Sequence, residues 1–364
     1  MRVRLRFVLI VLVFVFGIAV LTVLPLIQPP EDRELRGVMH GFYQVLLEIM
    51  PTLASQADFA HPDNQEKIKQ SLQKMNELSE VLKSKVDSKN RGSIQIAADY
   101  FKQHTQMITE YYNLGQAEDA RWMLGASFNL CVSCHTQMPV LEMPRVDWRY
   151  DLEEGRAKTA FQWAEVQFIT RRFDAALEVY DYLIRQFPDH GIDVFDLETV
   201  VLRKLVIFAR IERNPQRAVD SFLKDLANQK LPSHLINNIR NWIIDFESWH
   251  REKKALHLTV EKLLLQIEEK VVPKLSDRAL GMESPDLVTY LRYSGLLHEK
   301  LSKEDDEALR LRILYILARI ERQLASKYLF TLYEFYFKEC AESKLDHPVQ
   351  KECVRELQLL TRPD

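Results

Sequence analysis

Residues 131–136 read Cys-Val-Ser-Cys-His-Thr, inside a segment whose apolar residues recur at helical spacing. On a helix, Cys131 and His135 stand four residues apart on one face, with Cys134 beside them. Two cysteines separated by two residues and followed at once by histidine form the attachment signature of a c-type haem. The sequence therefore predicts one covalently bound haem c per chain, with thioethers at Cys131 and Cys134 and with His135 as the proximal iron ligand.

Two other interpretations of the motif compete with haem attachment. A redox-active Cys-x-x-Cys pair normally sits at a strand-to-helix turn, whereas this pair lies inside helical sequence. Half of a zinc site would need further cysteine or histidine ligands, and no second pair lies nearby in the sequence. Covalent haem is the interpretation that the spacing favours.

Composition indicates the fold class. The 364 residues suggest roughly two domains, and a formal charge of −3 provides no basic field for nucleic acid. Only 10 glycines occur, and 47% of the residues are hydrophobic, in long periodic stretches. We therefore expect an all-α protein that does not bind nucleic acid.

The N-terminus predicts a membrane anchor. Three arginines within the first six residues precede an uninterrupted apolar run from 7 to 27, which as a helix would span about 31 Å. The positive-inside rule then places the N-terminus in the cytoplasm and residues beyond 30 in the periplasm, so that one span crosses the inner membrane. The alternative is a cleaved signal peptide, because residues 17–19 (Gly-Ile-Ala) offer a small-x-small site.

Four amphipathic helices are predicted between the anchor and the end of the motif. The first runs from about Asp32 to Ala57, the second follows Pro62, the third ends at Gly115, and the fourth carries the motif and stops at Pro139. Four such helices joined by short turns predict an antiparallel bundle.

In helix number, helix order and motif position, residues 31–140 resemble the cytochrome c prime family and its low-spin bundle relatives. That resemblance implies a haem packed between the helices, with its distal face against the first helix. In this family the distal iron position is filled either by methionine, which gives an electron carrier, or by an apolar side chain, which leaves a site for small gases.

The distal ligand is the open question of this interpretation. Met39 lies in the apolar stripe of the first helix, near the end expected to approach the motif, and is the candidate sixth ligand. His40 and His104 are weaker candidates, since His40 points about 100° away from the stripe. A methionine in such a stripe also commonly serves only as core packing.

After a proline-containing linker (141–151), the pattern changes to helix pairs. Residues 157–164 combine small and aromatic side chains, residues 173–180 repeat that combination, and Pro188 closes the unit. This pattern resembles a tetratricopeptide repeat. The later, weaker copies of the pattern recur at irregular spacing, and an unrelated helical array is the alternative. The sequence thus predicts an anchor and stalk (1–30), a haem bundle (31–140), the linker, and an α-solenoid of helix pairs (152–364).

The two remaining cysteines fall near the C-terminus. Cys340 lies near the end of one predicted helix and Cys353 lies inside the next, beyond a turn that contains His347 and Pro348. Antiparallel helices would bring these positions side by side, so an oxidising compartment favours a disulfide. Two buried thiols, or a metal pair that uses His347, are the alternatives.

Together these features predict a membrane-anchored monohaem cytochrome that transfers electrons and docks a redox partner protein through its helical repeats. A sensor that binds nitric oxide or carbon monoxide, and an assembly scaffold, are the alternatives. No acid–base, nucleophile or phosphate-binding constellation stands out in the sequence, so an enzyme is not expected, although an open haem could act as a peroxidase.

Overall fold

A computed structural model of the chain describes residues 30–53, 56–87, 93–137, 157–188, 192–252, 258–275, 281–325 and 331–360. Across these ranges the secondary structure is entirely helical, which confirms the predicted all-α class. The α-helices are α1 Pro30–Leu53, α2 Gln56–Ala60, α3 Pro62–Asp87, α4 Ser93–Asn113, α5 Ala117–Gln137, α6 Ala157–Ile169, α7 Phe173–Gln186, α8 Val194–Val206, α9 Pro215–Asp225, α10 Ser233–Arg251, α11 Val260–Lys270, α12 Leu287–Leu301, α13 Glu307–Leu324, α14 Tyr333–Ala341 and α15 Pro348–Leu360.

The chain divides into two compact units, with the boundary between Lys85 and Val86. The first unit contains α1, α2 and nearly all of α3, and the second contains α4 to α15. The helix that carries the motif therefore belongs to the same unit as the later helices. The functional boundaries that the sequence suggests, at 31–140 and 152–364, stay predictions.

In the first unit, α1 buries one apolar stripe. Val38, Phe42, Val45 and Ile49 are all buried, at the spacing that the sequence predicts. The predicted single helix to Ala57 is divided, because α1 ends at Leu53 and a short α2 follows. Pro51 lacks the N–H that would bond back to the preceding turn, which weakens the end of α1.

In the second unit, α4 and α5 are joined by a tight turn and pack against each other. Gly115 has φ +80°, and its N–H donates to the carbonyl of Tyr112 while the next N–H donates to that of Tyr111. This is the hydrogen-bond pattern of a Schellman motif, and it confirms the predicted glycine end of α4. Besides α4, the motif helix α5 contacts α6, α12 and a π-helical segment, Ile207–Glu212, that continues α8.

Most later helices pack against their neighbours in the sequence, including α6 on α7, α9 on α10, and α12 on α13. Side-chain caps begin several of them: Asp193 starts α8, Asn214 starts α9, and Asp306 starts α13, each accepting a backbone N–H three residues ahead. α12 approaches the π-helical segment so closely that a Cβ atom on Gly295 would lie 2.3 Å from a backbone carbonyl oxygen. Only glycine fits at that crossing.

The last two helices are cross-linked. Cys340 of α14 and Cys353 of α15 form a disulfide with Cα atoms 5.9 Å apart, and both residues are buried. The structure thus joins the two cysteines that the sequence pairs, so that neither sulfur is free for the alternative metal pair with His347. Such a link restricts the unfolded chain and thereby stabilises the folded helix pair.

Among the described residues, no helix is long and apolar enough to cross a membrane. The predicted anchor at 7–27 lies outside the residues that the structure describes.

Candidate haem-attachment site

The motif lies near the C-terminal end of α5, which is a continuous α-helix from Ala117 to Gln137. Cys131, Cys134 and His135 share one half-buried face, as the i, i+3, i+4 spacing predicts. Val132 and Ser133, which point the other way, are fully buried. The helix is therefore anchored by the residues between the motif positions, and the three reactive side chains lie on its less covered side.

The two thiols are not joined to each other. Burial raises the pKa of Cys131 to about 12, with a further contribution from the neighbouring Cys134 thiol. Burial likewise raises the pKa of Cys134 to about 11, although the positive charge of Arg171 opposes that shift. A redox-active Cys-x-x-Cys pair needs one thiol with a lowered pKa, so the raised pKa values of both thiols argue against that alternative.

His135 is held by the end of another helix. Its Nδ1 hydrogen-bonds to the backbone carbonyl of Ile169, the last residue of α6. A carbonyl oxygen can only accept, so Nδ1 carries the proton and Nε2 is left as the nitrogen with a lone pair. In metal-binding histidines, the ring nitrogen that does not bind the metal usually donates its N–H to such an acceptor. This hydrogen bond fixes the tautomer and the ring orientation.

The local backbone explains why the Ile169 carbonyl is available. At the end of α6, the Thr170 N–H donates to Val166, that of Arg171 to Phe168, and that of Arg172 to Gln167. These bonds satisfy the three preceding carbonyls. The carbonyl of Ile169, the last helical residue, receives none of them and needs a donor from elsewhere. His135 supplies that partner from 34 residues earlier in the chain.

The imidazole of His135 is also neutral at physiological pH. Burial, together with the charge of Arg171, lowers the pKa of His135 to about 4, although the hydrogen bond to Ile169 opposes the shift. Only the neutral ring can bind a metal ion. The donor set therefore fits a covalent haem: two unjoined thiols and one oriented neutral imidazole lie on one helix face.

The candidate distal ligands differ in burial and in hydrogen bonding. Met39 lies on α1 in the first unit, half-buried at the edge of the stripe formed by Val38 and Phe42. His40 is exposed, and its Nε2 lies 3.4 Å from the side-chain amide of Gln44. Met39 belongs to the first unit and the motif to the second, and ligation of the iron by Met39 stays a prediction.

His104, on α4, is already engaged. It is buried, and its Nε2 donates to the backbone carbonyl of Met123 on α5 at 2.9 Å. Burial lowers the pKa of this ring, while the bond to Met123 opposes the shift. Iron binding through Nε2 would require this hydrogen bond to break, which makes His104 a poorer candidate than its position in the sequence suggests.

Sequence reasoning missed the contribution of the turn between α6 and α7. Ile169 acts through its backbone carbonyl, which every residue possesses, so no residue pattern could have identified it. Arg171 lies in a short turn without glycine or proline, and nothing in the local sequence marks its side chain as part of the site. Both contributions depend on a tertiary contact between α5 and α6.

Comparison with protein-family models, with curated proteins and with solved structures finds no match for this chain. Within the described ranges, no group of three or more His, Cys, Asp or Glu residues is arranged to hold a metal ion.

Proposed function

We propose that this protein is a c-type cytochrome that transfers electrons. One haem would be held by thioether bonds to Cys131 and Cys134, with Nε2 of His135 on the iron. When bound, the haem supplies a centre that accepts and releases one electron. The observation that carries the proposal is the hydrogen bond from His135 to Ile169, because it presents an oriented, neutral imidazole beside two unjoined thiols.

The surroundings of the motif support electron transfer. The thiol face of α5 is half-buried while the opposite face is fully buried, so a group attached there would sit at the margin of the packed helices, where a partner could approach. In the proposed architecture, a haem bundle resembling cytochrome c prime is followed by tetratricopeptide-like repeats, and the repeats dock a redox partner protein.

The proposed location is the periplasmic side of the inner membrane, with residues 7–27 as the anchor. The disulfide between Cys340 and Cys353 supports an oxidising compartment outside the cytosol. We expect the full-length protein to remain in the membrane fraction after a carbonate wash. A mature N-terminus near Val20, with release into the soluble fraction, would contradict the anchor.

A gas-binding sensor is the second candidate function. It is favoured by the hydrogen bond between His104 and the Met123 carbonyl, because the Nε2 atom that could bind the iron is already used in that bond. If Met39 also fails to ligate, the distal iron position would be open to nitric oxide or carbon monoxide.

The absorption spectrum of the reduced holoprotein, with and without carbon monoxide, separates the two functions. An electron carrier with a sixth protein ligand should be low-spin and should bind carbon monoxide slowly. A high-spin spectrum with rapid carbon monoxide binding would overturn the electron-transfer assignment and support the sensor.

A further inference from the structure

The turn between α6 and α7 contains a residue in an unfavourable backbone conformation. Arg171 has φ +63°, in the left-handed region that favours glycine. Its N–H donates to Phe168 and the next N–H donates to Gln167, so it occupies the position of the Schellman motif at which glycine is most common. A glycine there would avoid the steric penalty, so the backbone alone gives no reason for an arginine.

The side chain of Arg171 offers such a reason. Only 7% of the residue is exposed, although an arginine side chain usually keeps its charged end in water. Burial lowers the pKa of the guanidinium from its usual value, but arginine keeps its proton in proteins. The fold thus accepts both a strained backbone and a buried positive charge at one position.

That charge lies beside the motif. Arg171 follows Ile169 by two residues, and the Ile169 carbonyl is the group that orients His135, so the buried turn that carries Arg171 packs against the motif helix. In keeping with that position, the charge of Arg171 lowers the pKa of both Cys134 and His135. One turn therefore supplies both the orienting carbonyl and a fixed positive charge.

We infer that Arg171 sets the reduction potential of the candidate haem site by stabilising its reduced form, an inference that rests on the proposed function. Reduction of a haem held there would take one electron from the redox partner, and no bond to Arg171 would form or break. A buried positive charge near the iron favours the state with the additional electron, and the interaction is strong because the surroundings are poorly solvated. Local charge and burial are among the factors by which proteins adjust haem potentials.

The test compares variants of the full-length holoprotein by spectroelectrochemical titration. Arg171→Gly removes the charge and relieves the left-handed backbone, so we expect it to fold at least as well as the unmodified chain. Arg171→Gln removes the charge while keeping most of the side chain, and Arg171→Lys keeps the charge. The matched control is Arg213→Gly, because Arg213 also has a positive φ (51°) and lies in a different turn, where it pairs with Glu299 at 2.7 Å.

We expect Arg171→Gly and Arg171→Gln to lower the reduction potential by at least 59 mV, a tenfold change in the ratio of oxidised to reduced protein. Arg171→Lys should retain most of the original potential, and Arg213→Gly should leave it unchanged. The unfolding midpoint of Arg171→Gly should equal or exceed that of the unmodified protein.

Unchanged potentials in both charge-removing variants, with haem still covalently attached, would overturn the role of Arg171. An equal shift in Arg213→Gly would also overturn it, because the effect would then be general. A chain that carries no covalent haem at all would instead contradict the proposed function, so the two failures are distinguishable.

Discussion

The Nδ1 atom of His135 is hydrogen-bonded to the backbone carbonyl of Ile169, which ties the motif helix α5 to the end of α6. The ligand nitrogen of the candidate haem site is thus oriented by the helical array that follows the motif. This contact fixes the tautomer and places the lone pair on Nε2, while burial in the protein, rather than the contact itself, lowers the pKa of the ring and keeps it neutral.

The first prediction concerns this histidine. His135→Ala should leave both thioether bonds intact but remove the proximal nitrogen, so the haem should remain attached while its spin state changes. Absorption spectroscopy of the oxidised and reduced variant measures this. His234→Ala is a suitable control, since His234 is half-exposed and pairs with Glu198 at 3.0 Å. A spectrum of His135→Ala identical to that of the unmodified protein would contradict the assignment.

A second prediction concerns Met39. If its sulfur binds the iron, the oxidised protein should show a weak charge-transfer band towards the red, and Met39→Ala should abolish that band and speed carbon monoxide binding. If Met39 only packs, the variant should leave the spectrum unchanged. The free energy of unfolding should then fall by less than the loss of about 2–5 kcal/mol that is typical of a fully buried Met→Ala change, because Met39 is half-buried. Leu46→Ala in the same stripe is the packing control.

The third prediction concerns the disulfide between α14 and α15. Replacing both Cys340 and Cys353 by serine opens a loop with a sequence separation of 13. The loop-entropy relation then gives a loss of about 3 kcal/mol in the free energy of unfolding. Denaturant titration of the double variant measures the loss, and chemical reduction of the unmodified protein should reproduce it. Equal midpoints for the oxidised protein and the variant would show that the bond contributes no stability.

The fourth prediction concerns pH. His298 is 1% exposed, its Nε2 lies 3.0 Å from Nη2 of Arg210, and the carboxylate of Glu321 lies 3.3 Å away. Burial lowers the pKa of His298 to about 4; the hydrogen bond to Glu321 opposes this shift and the charge of Arg210 adds to it. The unfolded chain, with a histidine pKa of about 6.5, therefore binds a proton that the native state does not bind between these two values.

Stability should accordingly fall as the pH decreases from about 6.5 to 4, by up to about 3 kcal/mol from this residue. His298→Gln should reduce that slope, whatever its effect on stability at neutral pH. Unfolding experiments at several pH values, compared with the exposed-site variant His61→Gln, measure the difference. Parallel slopes for the unmodified protein and His298→Gln would contradict the assigned shift.

Local features of the fold could be predicted from the sequence. The helical spacing of apolar residues gave α1 and its buried stripe, Gly115 marked the end of α4, and the Cys-x-x-Cys-His spacing placed three side chains on one helix face. Each of these depends on residues within a few turns of one another, where periodicity and capping rules apply directly.

Features that arise from tertiary contacts could not be predicted. The division of the chain after Lys85, which groups α4 and α5 with the later helices, depends on how amphipathic faces pair across long sequence separations. The Ile169 carbonyl has no residue signature, and Arg171 is buried in a left-handed turn that contains no glycine. The π-helical segment Ile207–Glu212 was likewise not predicted; it packs against α12, where Gly295 allows close approach.

The central claim is that haem is covalently bound through Cys131 and Cys134. Intact-mass spectrometry of the denatured full-length protein, purified from cells able to attach haem in the periplasm, tests it most directly. The account predicts a chain heavier by one haem that keeps its colour through acid–acetone extraction, and a Cys131→Ala, Cys134→Ala double variant at the mass of the polypeptide alone. An unmodified chain at the polypeptide mass, or one whose haem is extracted by acid–acetone, would contradict it.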